Sequence, residues 1–252
     1  GGTPTSIGAQ LLDKVLQHCH FGAPEFTVEA GRPDTINADI VEVMQKHGVT
    51  RVSVNPQTFN DKTLDIIGRR HKSADTYNAY MLVRDKFDVN MDLIACLPGE
   101  TIDDFKRSVD IAVALDPANV TVHTLYMKKG SVLKQCGYDN TDFDTASQMV
   151  DYVYKKLTSA GYEPYYMYRQ KYTSGNLENV GYAKKGKACV YNVDIMEEDT
   201  SIIANGANGI SKKWNKKKNL ITRCANYKEP IEYIKHFSEM LDRQQKFWLR
   251  QK

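Results

Sequence analysis

The sequence predicts an α/β protein built on parallel strands that form a partial or complete (β/α) barrel. Short runs rich in β-branched residues recur in the first half of the chain, and each is followed by a segment with helical periodicity. The runs begin near residues 26, 51, 89 and 120, and their spacing of roughly 25 to 40 residues is the length of one βα unit. Strands connected through a helix run parallel with right-handed crossovers.

The individual elements follow from local patterns. Asn37 is a suitable N-cap for a helix that ends just before Gly48. Thr101 and Asp104 form a capping-box-like start for a helix that Asp116 and the following proline end. The predicted strands of the barrel are 26–30, 51–54, 89–95 and 120–126.

A change of pattern near residue 160 predicts two domains, with the partial barrel in 1–160 and a smaller α+β domain in 161–252. The tyrosine-rich segment 162–169 indicates a half-buried strand, and 230–249 indicates an amphipathic helix. The basic run 212–218 is typical of a solvated hairpin tip, although it could also attract a polycarboxylate substrate.

Composition narrows the range of partners. The 252 residues are 41% apolar with a net charge of +3, too small an excess to predict a nucleic-acid partner. No apolar run has the length of a membrane span and no secretory signal is present, so we expect a cytoplasmic protein without a membrane partner. The five cysteines lie too far apart to indicate a local metal site or a disulfide framework, so we assign no metal ligands.

The first residues are typical of a loop and helix that follow a strand. Gly1, Gly2 and Thr3 precede a helical pattern and could offer backbone N–H groups to a ligand. We therefore expect that an earlier βα unit of the barrel is missing from this sequence. An incomplete barrel has an unpaired strand edge, which predicts self-association between copies of the chain.

Polar side chains at the ends of the predicted strands are candidate ligand-binding groups. Glu29 and Asp92 interrupt or end apolar strands, and such carboxylates either bind ligand hydroxyl or amino groups or are satisfied by neighbouring protein groups. Gln57 and Arg69 follow one strand, where an amide and a guanidinium suit an anionic ligand group. A basic helix end is the alternative explanation for Arg69.

Taken together, several motifs resemble radical S-adenosylmethionine enzymes, in particular the HemZ-type branch of the HemN-like oxygen-independent coproporphyrinogen III oxidases. The motifs occur in the family's order, and the resemblance continues beyond residue 160. They are Gly1–Thr5, Val28–Pro33, Gly48–Thr58, Ile67–His71 and Asp92–Thr101.

The resemblance implies a radical SAM-type partial barrel that holds S-adenosylmethionine and a [4Fe-4S] cluster. The family's Cys-x3-Cys-x2-Cys loop does not occur in this sequence, so the cluster is expected only in a longer parent protein, and the chain alone is expected to be inactive. By similarity, the S-adenosylmethionine contacts are Gly1, Gly2, Thr3, Glu29, Gln57, Arg69 and Asp92.

The implied activity is oxidative decarboxylation of coproporphyrinogen III in porphyrin biosynthesis. The implied partners are this tetrapyrrole and a reductant protein such as flavodoxin or ferredoxin. A related haem-chaperone branch is an alternative, but its His-Asn-x-x-Tyr-Trp signature is not matched at Tyr191 and Asn192. A radical enzyme with another substrate is the third possibility, because barrel motifs specify the cofactor better than the substrate.

Overall fold

A computed structural model describes residues 3–19, 22–127, 130–139, 142–169, 173, 175 and 177–249. The chain divides into two units, residues 1–190 and 191–252. The first unit contains a six-stranded sheet with the order β1-β2-β3-β4-β6-β5. Its strands are β1 (Thr27–Val28), β2 (Arg51–Ser53), β3 (Asp88–Ala95), β4 (Asn119–Thr124), β5 (Glu163–Tyr168) and β6 (Asn179–Ala183).

The first four strands are parallel, and each of the four predicted barrel strands is found at its predicted place. β6 pairs antiparallel with both β4 and β5. The fold is therefore α/β with a parallel sheet, as predicted, and an antiparallel pair of strands extends it. The short strand β1 lies at one edge and β5 at the other.

Helices connect the strands of the first unit and begin at the predicted caps. The Asn37 side chain accepts a hydrogen bond from the backbone N–H of Ile40 at 3.0 Å. Thr101 and Asp104 form a reciprocal capping box, and Asp116 ends that helix in the left-handed conformation. The helices are α1 (Ala9–Leu16), α2 (Ala38–Lys46), α3 (Asp61–Ile66), α4 (Ser73–Val83), α5 (Ile102–Leu115), α6 (Val132–Gln135) and α7 (Phe143–Ser159).

The two faces of the sheet differ in chemistry because side chains alternate along each strand. One face is apolar, and its residues share a core with α5 and α7. Each fully buried apolar side chain of this kind contributes about 1.5–3 kcal/mol. The core includes Leu93, Val120 and Val122 of the sheet together with Phe105, Val109, Met149 and Val153 of the helices.

The opposite face, called the inner face below, is polar. Strand register aligns Asn90 with Asn119, and Asp92 with Thr121. Of these four side chains, Asn90, Asn119 and Thr121 are buried, whereas about 28% of the Asp92 side chain is exposed.

The buried guanidinium of Arg51 closes the inner face at the amino ends of the strands. Arg51 donates to the side chains of Asn90, at 2.8 Å, and Asn119, and to Glu25 at 3.2 Å. It also donates to the backbone carbonyl of Lys187 at 3.0 Å. One side chain thus connects β2, β3 and β4 with the loop after β6.

The end of the first unit differs from the predicted domain boundary at residue 160. β5 and β6 both lie beyond residue 160 and complete the sheet of the first unit, which ends at Val190. Composition changes at 160 because strands of a parallel core give way to tyrosine-rich antiparallel strands of the same sheet.

The second unit contains a β-hairpin and helices. β7 (Ile210–Asn215) and β8 (Leu220–Ala225) pair antiparallel, which confirms a hairpin tip within the basic run. The predicted single helix over 230–249 is wrong in one respect: α9 (Pro230–Lys235) and α10 (Phe237–Leu249) are separate. His236, with φ −106° and ψ 26°, leaves helical geometry between them, and apolar periodicity does not reveal such a break.

Except for its first residue, α8 (Val190–Glu197) belongs to the second unit. Within the part of the chain that the structure describes, no helix is long and apolar enough to cross a membrane.

Replacement of Arg51 by Met is expected to lower the free energy of unfolding by about 3–5 kcal/mol, because Glu25 loses its ion-pair partner and the side-chain oxygens of two buried amides lose their guanidinium donor. Urea unfolding followed by circular dichroism measures the loss. Arg70→Met, at an exposed position, is the matched control and should change stability by less than about 0.5 kcal/mol. Equal losses in both variants would contradict the proposed closing role.

Replacement of Gly181 by Ala is expected to destabilise the first unit by about 1–3 kcal/mol, because the added Cβ would lie 1.9 Å from a ring carbon of Tyr166. The same substitution in a Tyr166→Ala background should cost much less, and a double-mutant cycle by urea unfolding measures the difference. If the losses of stability in the two single variants add up in the double variant, contact with the Tyr166 ring is not the cause of the Gly181→Ala loss.

Candidate functional site

Two carboxylates from different strands come together on the inner face. Asp92 lies in β3 with about 28% of its side chain exposed, and Glu29 follows directly after β1 with its side chain at the surface. The surrounding protein partly desolvates the Glu29 carboxylate and the negative charge of Asp92 adds to this effect, so the pKa of Glu29 is raised above its usual range. No Lys or Arg among the described residues forms an ion pair with either group.

Gln57 is held beside this pair by its backbone. Its N–H donates to the carbonyl of Asp92 at 3.0 Å, and its carbonyl accepts from Ile94 at 2.8 Å. Gln57 has a φ of 67°, which is uncommon for a residue with a side chain and is typical of functional loops. The Gln57 amide is therefore fixed at the end of β2, next to β3.

Asn55 lies in the same loop and is a polar residue that sequence reasoning did not select as a ligand-binding candidate. The side chain is buried, and its Oδ1 accepts no hydrogen bond from any residue that the structure describes. A buried acceptor in this state costs free energy unless a ligand or water donates to it. The signal in the sequence was the position of Asn55 at the end of an apolar strand.

Arg69 is the residue that the sequence predicts to supply positive charge to a ligand. It follows α3, and its N–H donates to the Leu64 carbonyl at 2.9 Å. Partial burial and the neighbouring positive charge of Arg32 lower the pKa of Arg69, and Asp34 partly offsets this. Arg32 in turn pairs with Asp34.

Thr3 lies close to the end of β1, because its Oγ1 would be 3.8 Å from a Cβ placed on Gly31. The Gly31 N–H donates to Ser53 Oγ at 3.2 Å, which links this loop to β2. Gly1 and Gly2, also predicted to contact a ligand, lie outside the described residues.

The structure therefore brings Glu29, Gln57 and Asp92 together at the carboxyl ends of β1 to β3. Arg69 stands beside Arg32, which is only three residues after Glu29 in the chain. Between the described residues, no direct hydrogen bond or ion pair joins Arg69 to the two carboxylates. The carboxylate pair and the Arg69–Arg32 pair are therefore two separate charged groups, each defined by its own neighbours.

Two further residues reach the carboxylates from β4 and β5. His123 Nε2 lies 3.9 Å from Asp92 Oδ2, and His123 Nδ1 is hydrogen-bonded to the Tyr168 hydroxyl at 3.0 Å. Sequence reasoning did not select either residue. Alternation along β4 could have indicated His123, since it lies two residues beyond Thr121, the register partner of Asp92.

This arrangement suits a ligand that carries both charges and several hydroxyl groups. An ionised carboxylate can accept two hydroxyl protons or bind an ammonium, and a guanidinium binds a carboxylate in bidentate fashion. S-adenosylmethionine has all of these groups, so the residues present fit it.

The described residues do not offer a comparable site for an iron–sulfur cluster. Three of its five cysteines are buried and two are exposed. Over the described part of the chain, no three His, Cys, Asp or Glu side chains are placed to hold a metal ion. No step of the chemistry is therefore derived through a cluster held by these residues.

Comparisons with known proteins identify the family of the chain. The family profile for the radical SAM superfamily matches residues 1–112. The chain is 39% identical over 257 residues to the oxygen-independent coproporphyrinogen-III oxidase-like protein HemZ of Bacillus subtilis strain 168, across 98% of this chain and 51% of that protein. The chain belongs to the radical SAM superfamily.

Other relatives of this radical SAM chain include a heme chaperone, HemW of Haemophilus influenzae, with 28% identity over 93% of the chain and 59% of the relative. The fold is similar to that of coproporphyrinogen III oxidase (HemN) from Escherichia coli, a radical SAM enzyme, with a TM-score of 0.73 and 18% identity. That match covers 95% of this chain and 56% of the other. The predicted radical SAM-type fold is confirmed, and the chain spans about half the length of these relatives.

Replacement of Glu29 by Gln is expected to stabilise the ligand-free radical SAM chain at neutral pH. A raised pKa means that ionisation of Glu29 opposes folding, so the variant should gain stability as pH rises through that pKa. The gain should vanish well below the ordinary value of 4.5, where Glu29 is protonated in both states. Solvent at the exposed side limits the gain to less than about 1 kcal/mol.

Urea unfolding of both proteins from acid to neutral pH measures this dependence. Glu42→Gln, on the exposed face of α2, is the control and should show no comparable gain. A wild-type chain that is more stable than Glu29→Gln at neutral pH would contradict the argument.

Proposed function

We propose that this chain forms the S-adenosylmethionine-binding part of an oxygen-independent coproporphyrinogen III oxidase. The observation that carries the proposal is the Glu29–Asp92 carboxylate pair, which has no Lys or Arg ion-pair partner among the described residues. It occurs in a chain that is 39% identical to a protein of coproporphyrinogen-oxidase type.

Each residue has a defined role in the proposed binding. Asp92 accepts the ribose hydroxyl protons of S-adenosylmethionine, and Glu29 accepts from a second donor of the same ligand. Gln57 presents its amide beside them, and Arg69 supplies positive charge for an anionic group. Thr3 contacts the methionine end, and the family resemblance assigns the same contact to Gly1 and Gly2.

Bound S-adenosylmethionine supplies, on one-electron reduction, the radical that removes a hydrogen atom from substrate. In the full-length protein the proposed substrate is coproporphyrinogen III. Loss of one hydrogen atom from a propionate side chain, transfer of one further electron to a separate one-electron acceptor and release of carbon dioxide would leave a vinyl group. The electron for the initial reduction comes from a protein of flavodoxin or ferredoxin type. The chain's own residues bind and orient the ligand. The Arg51 cluster on the polar inner face bounds the ligand site on one side.

A haem carrier is the second candidate function, because heme chaperones are among the relatives. Against it, Tyr191 stands where the chaperone branch is expected to have a histidine. Tyr191 lies on α8 with 54% of its surface exposed. A phenol is a less common haem ligand than an imidazole.

Replacement of Asp92 by Asn is expected to weaken binding of S-adenosylmethionine by about tenfold or more, because a charge-assisted hydrogen bond is worth about 1.5–3 kcal/mol. Isothermal titration calorimetry measures the affinity. In the full-length protein, the same variant should lose coproporphyrinogen III consumption. Asp103→Asn, whose side chain is 85% exposed on α5, is the matched control and should bind as the wild type does.

Titration of the full-length protein with haem separates the two candidates. Consumption of coproporphyrinogen III that depends on Asp92 supports the oxidase. Tight, stoichiometric haem binding without any consumption of coproporphyrinogen III would overturn it in favour of the carrier.

A further inference from the structure

Two tyrosines reach across the inner face from the edge strand β5 to β4. The Tyr166 hydroxyl is hydrogen-bonded to Thr121 Oγ1 at 3.2 Å, and the Tyr168 hydroxyl to His123 Nδ1 at 3.0 Å. Their rings are almost parallel, with an interplanar angle of 6° and centroids 6.4 Å apart. β6 lies between β5 and β4 in the sheet, so both side chains span it.

The absence of a side chain at Gly181 makes this span possible for Tyr166. Gly181 of β6 is the register partner of both Thr121 and Tyr166. Any Cβ at this position would overlap the Tyr166 ring. The tyrosines are therefore packed in place, and their hydroxyl positions are set by the sheet.

The Tyr168 hydroxyl is the hydrogen-bond partner of His123 Nδ1, and the tautomer of His123 decides which of the two atoms donates. Burial, with a contribution from the negative charge of Asp92, raises the pKa of Tyr168, so its hydroxyl keeps its proton and can donate to Nδ1. A neutral histidine that accepts at Nδ1 carries its proton on Nε2. The opposite tautomer would turn the Nε2 lone pair toward the carboxylate of Asp92, 3.9 Å away, which is unfavourable.

The charged and titratable groups around His123 all favour the tautomer with its proton on Nε2. Asp92 approaches from β3, Glu29 from the end of β1, and Tyr168 from β5. Two of the three are carboxyl groups, and a proton on Nε2 is the favourable partner for negative charge on either. About 28% of the His123 side chain is exposed, so the ring still borders the open part of the site.

We propose that Tyr168 and His123 are positioning residues for the ligand-binding carboxylate: Tyr168 donates to His123 Nδ1, and the resulting Nε2–H of His123 orients Asp92 toward the ligand. The part that concerns ligand affinity rests on the proposed function, whereas the tautomer of His123 does not. At 3.9 Å the Nε2–Asp92 contact is longer than a hydrogen bond, so the N–H acts on the carboxylate through its dipole and leaves the carboxylate free to accept from a ligand.

The first test is the tautomer itself, measured on the full chain by nitrogen-15 NMR of the imidazole groups at about pH 8, where an ordinary histidine is neutral. His123→Gln assigns the signals. The expected result is a proton on Nε2 and none on Nδ1. Tyr168→Phe should give signals averaged between the two tautomers. Tyr166→Phe removes the neighbouring hydroxyl without touching His123, and should leave the His123 signals unchanged.

The second test is affinity for S-adenosylhomocysteine, a stable probe with the same ribose, by calorimetry on the same variants. Tyr168→Phe should weaken binding about three- to tenfold, and Tyr166→Phe less than about twofold. His123→Gln retains an N–H near the Nε2 position and should bind within about threefold of the wild type, whereas His123→Leu should lose about tenfold.

The outcomes separate the inference from the proposed function. An Nδ1–H tautomer in the wild type, or a Tyr168→Phe protein with unchanged tautomer and affinity, overturns the inference. If the wild-type chain has the Nε2–H tautomer but S-adenosylhomocysteine binds to the full-length protein with no dependence on Asp92, the proposed binding site is wrong. Equal weakening by Tyr166→Phe and Tyr168→Phe would show only a structural effect and would also overturn the inference.

Discussion

The arrangement of the site depends on one constraint, which is that helices pack on a single face of the sheet. Met91, Leu93, Val120 and Val122 are buried on that face. Alternation along a strand then places the residues between them on the opposite face. Asp92 and Thr121 can be polar because they lie on the face opposite the helices. The same residues that stabilise the fold on one side therefore set the spacing of the ligand-binding groups on the other.

The inner face is itself divided into two levels. At the amino ends of the strands, protein oxygens accept the hydrogen bonds of the Arg51 guanidinium. This part of the inner face is therefore filled by protein groups. At the carboxyl ends the carboxylates of Glu29 and Asp92 have no cationic side chain paired with them among the described residues. Ligand sites of parallel barrels lie at this end. The difference between a satisfied and an unsatisfied level is what distinguishes a structural polar cluster from a binding site in this chain.

Much of the fold could be predicted from the sequence because local signals and the packing agreed. The caps at Asn37 and Thr101 and the four parallel strands all follow from short-range patterns. The continuation of the sheet into β5 and β6 was not predicted, because pairing between β4 and β6 joins residues about sixty positions apart and leaves no local signal. The break at His236 is similar, since both helices keep the same apolar face pattern.

The candidate site was predictable to the extent that its members end strands. Glu29, Gln57 and Asp92 were selected in this way, and the structure brings them together. His123 and Tyr168 were missed because their relation to Asp92 depends on the order of strands in the sheet and on an antiparallel register. Asn55 was missed as a site residue because nothing in its sequence context tells a buried, unpartnered amide oxygen from a paired one.

The close approach of Tyr166 to Gly181 has a consequence for how this family can diverge. A glycine and a large aromatic residue occupy one shared volume on neighbouring strands, so neither position can change alone without loss of packing. Homologues in which the glycine is replaced by a larger residue should carry a smaller residue at the tyrosine position. In an alignment of such sequences, these two columns are expected to covary, and the pair would mark chains that share this cross-strand geometry.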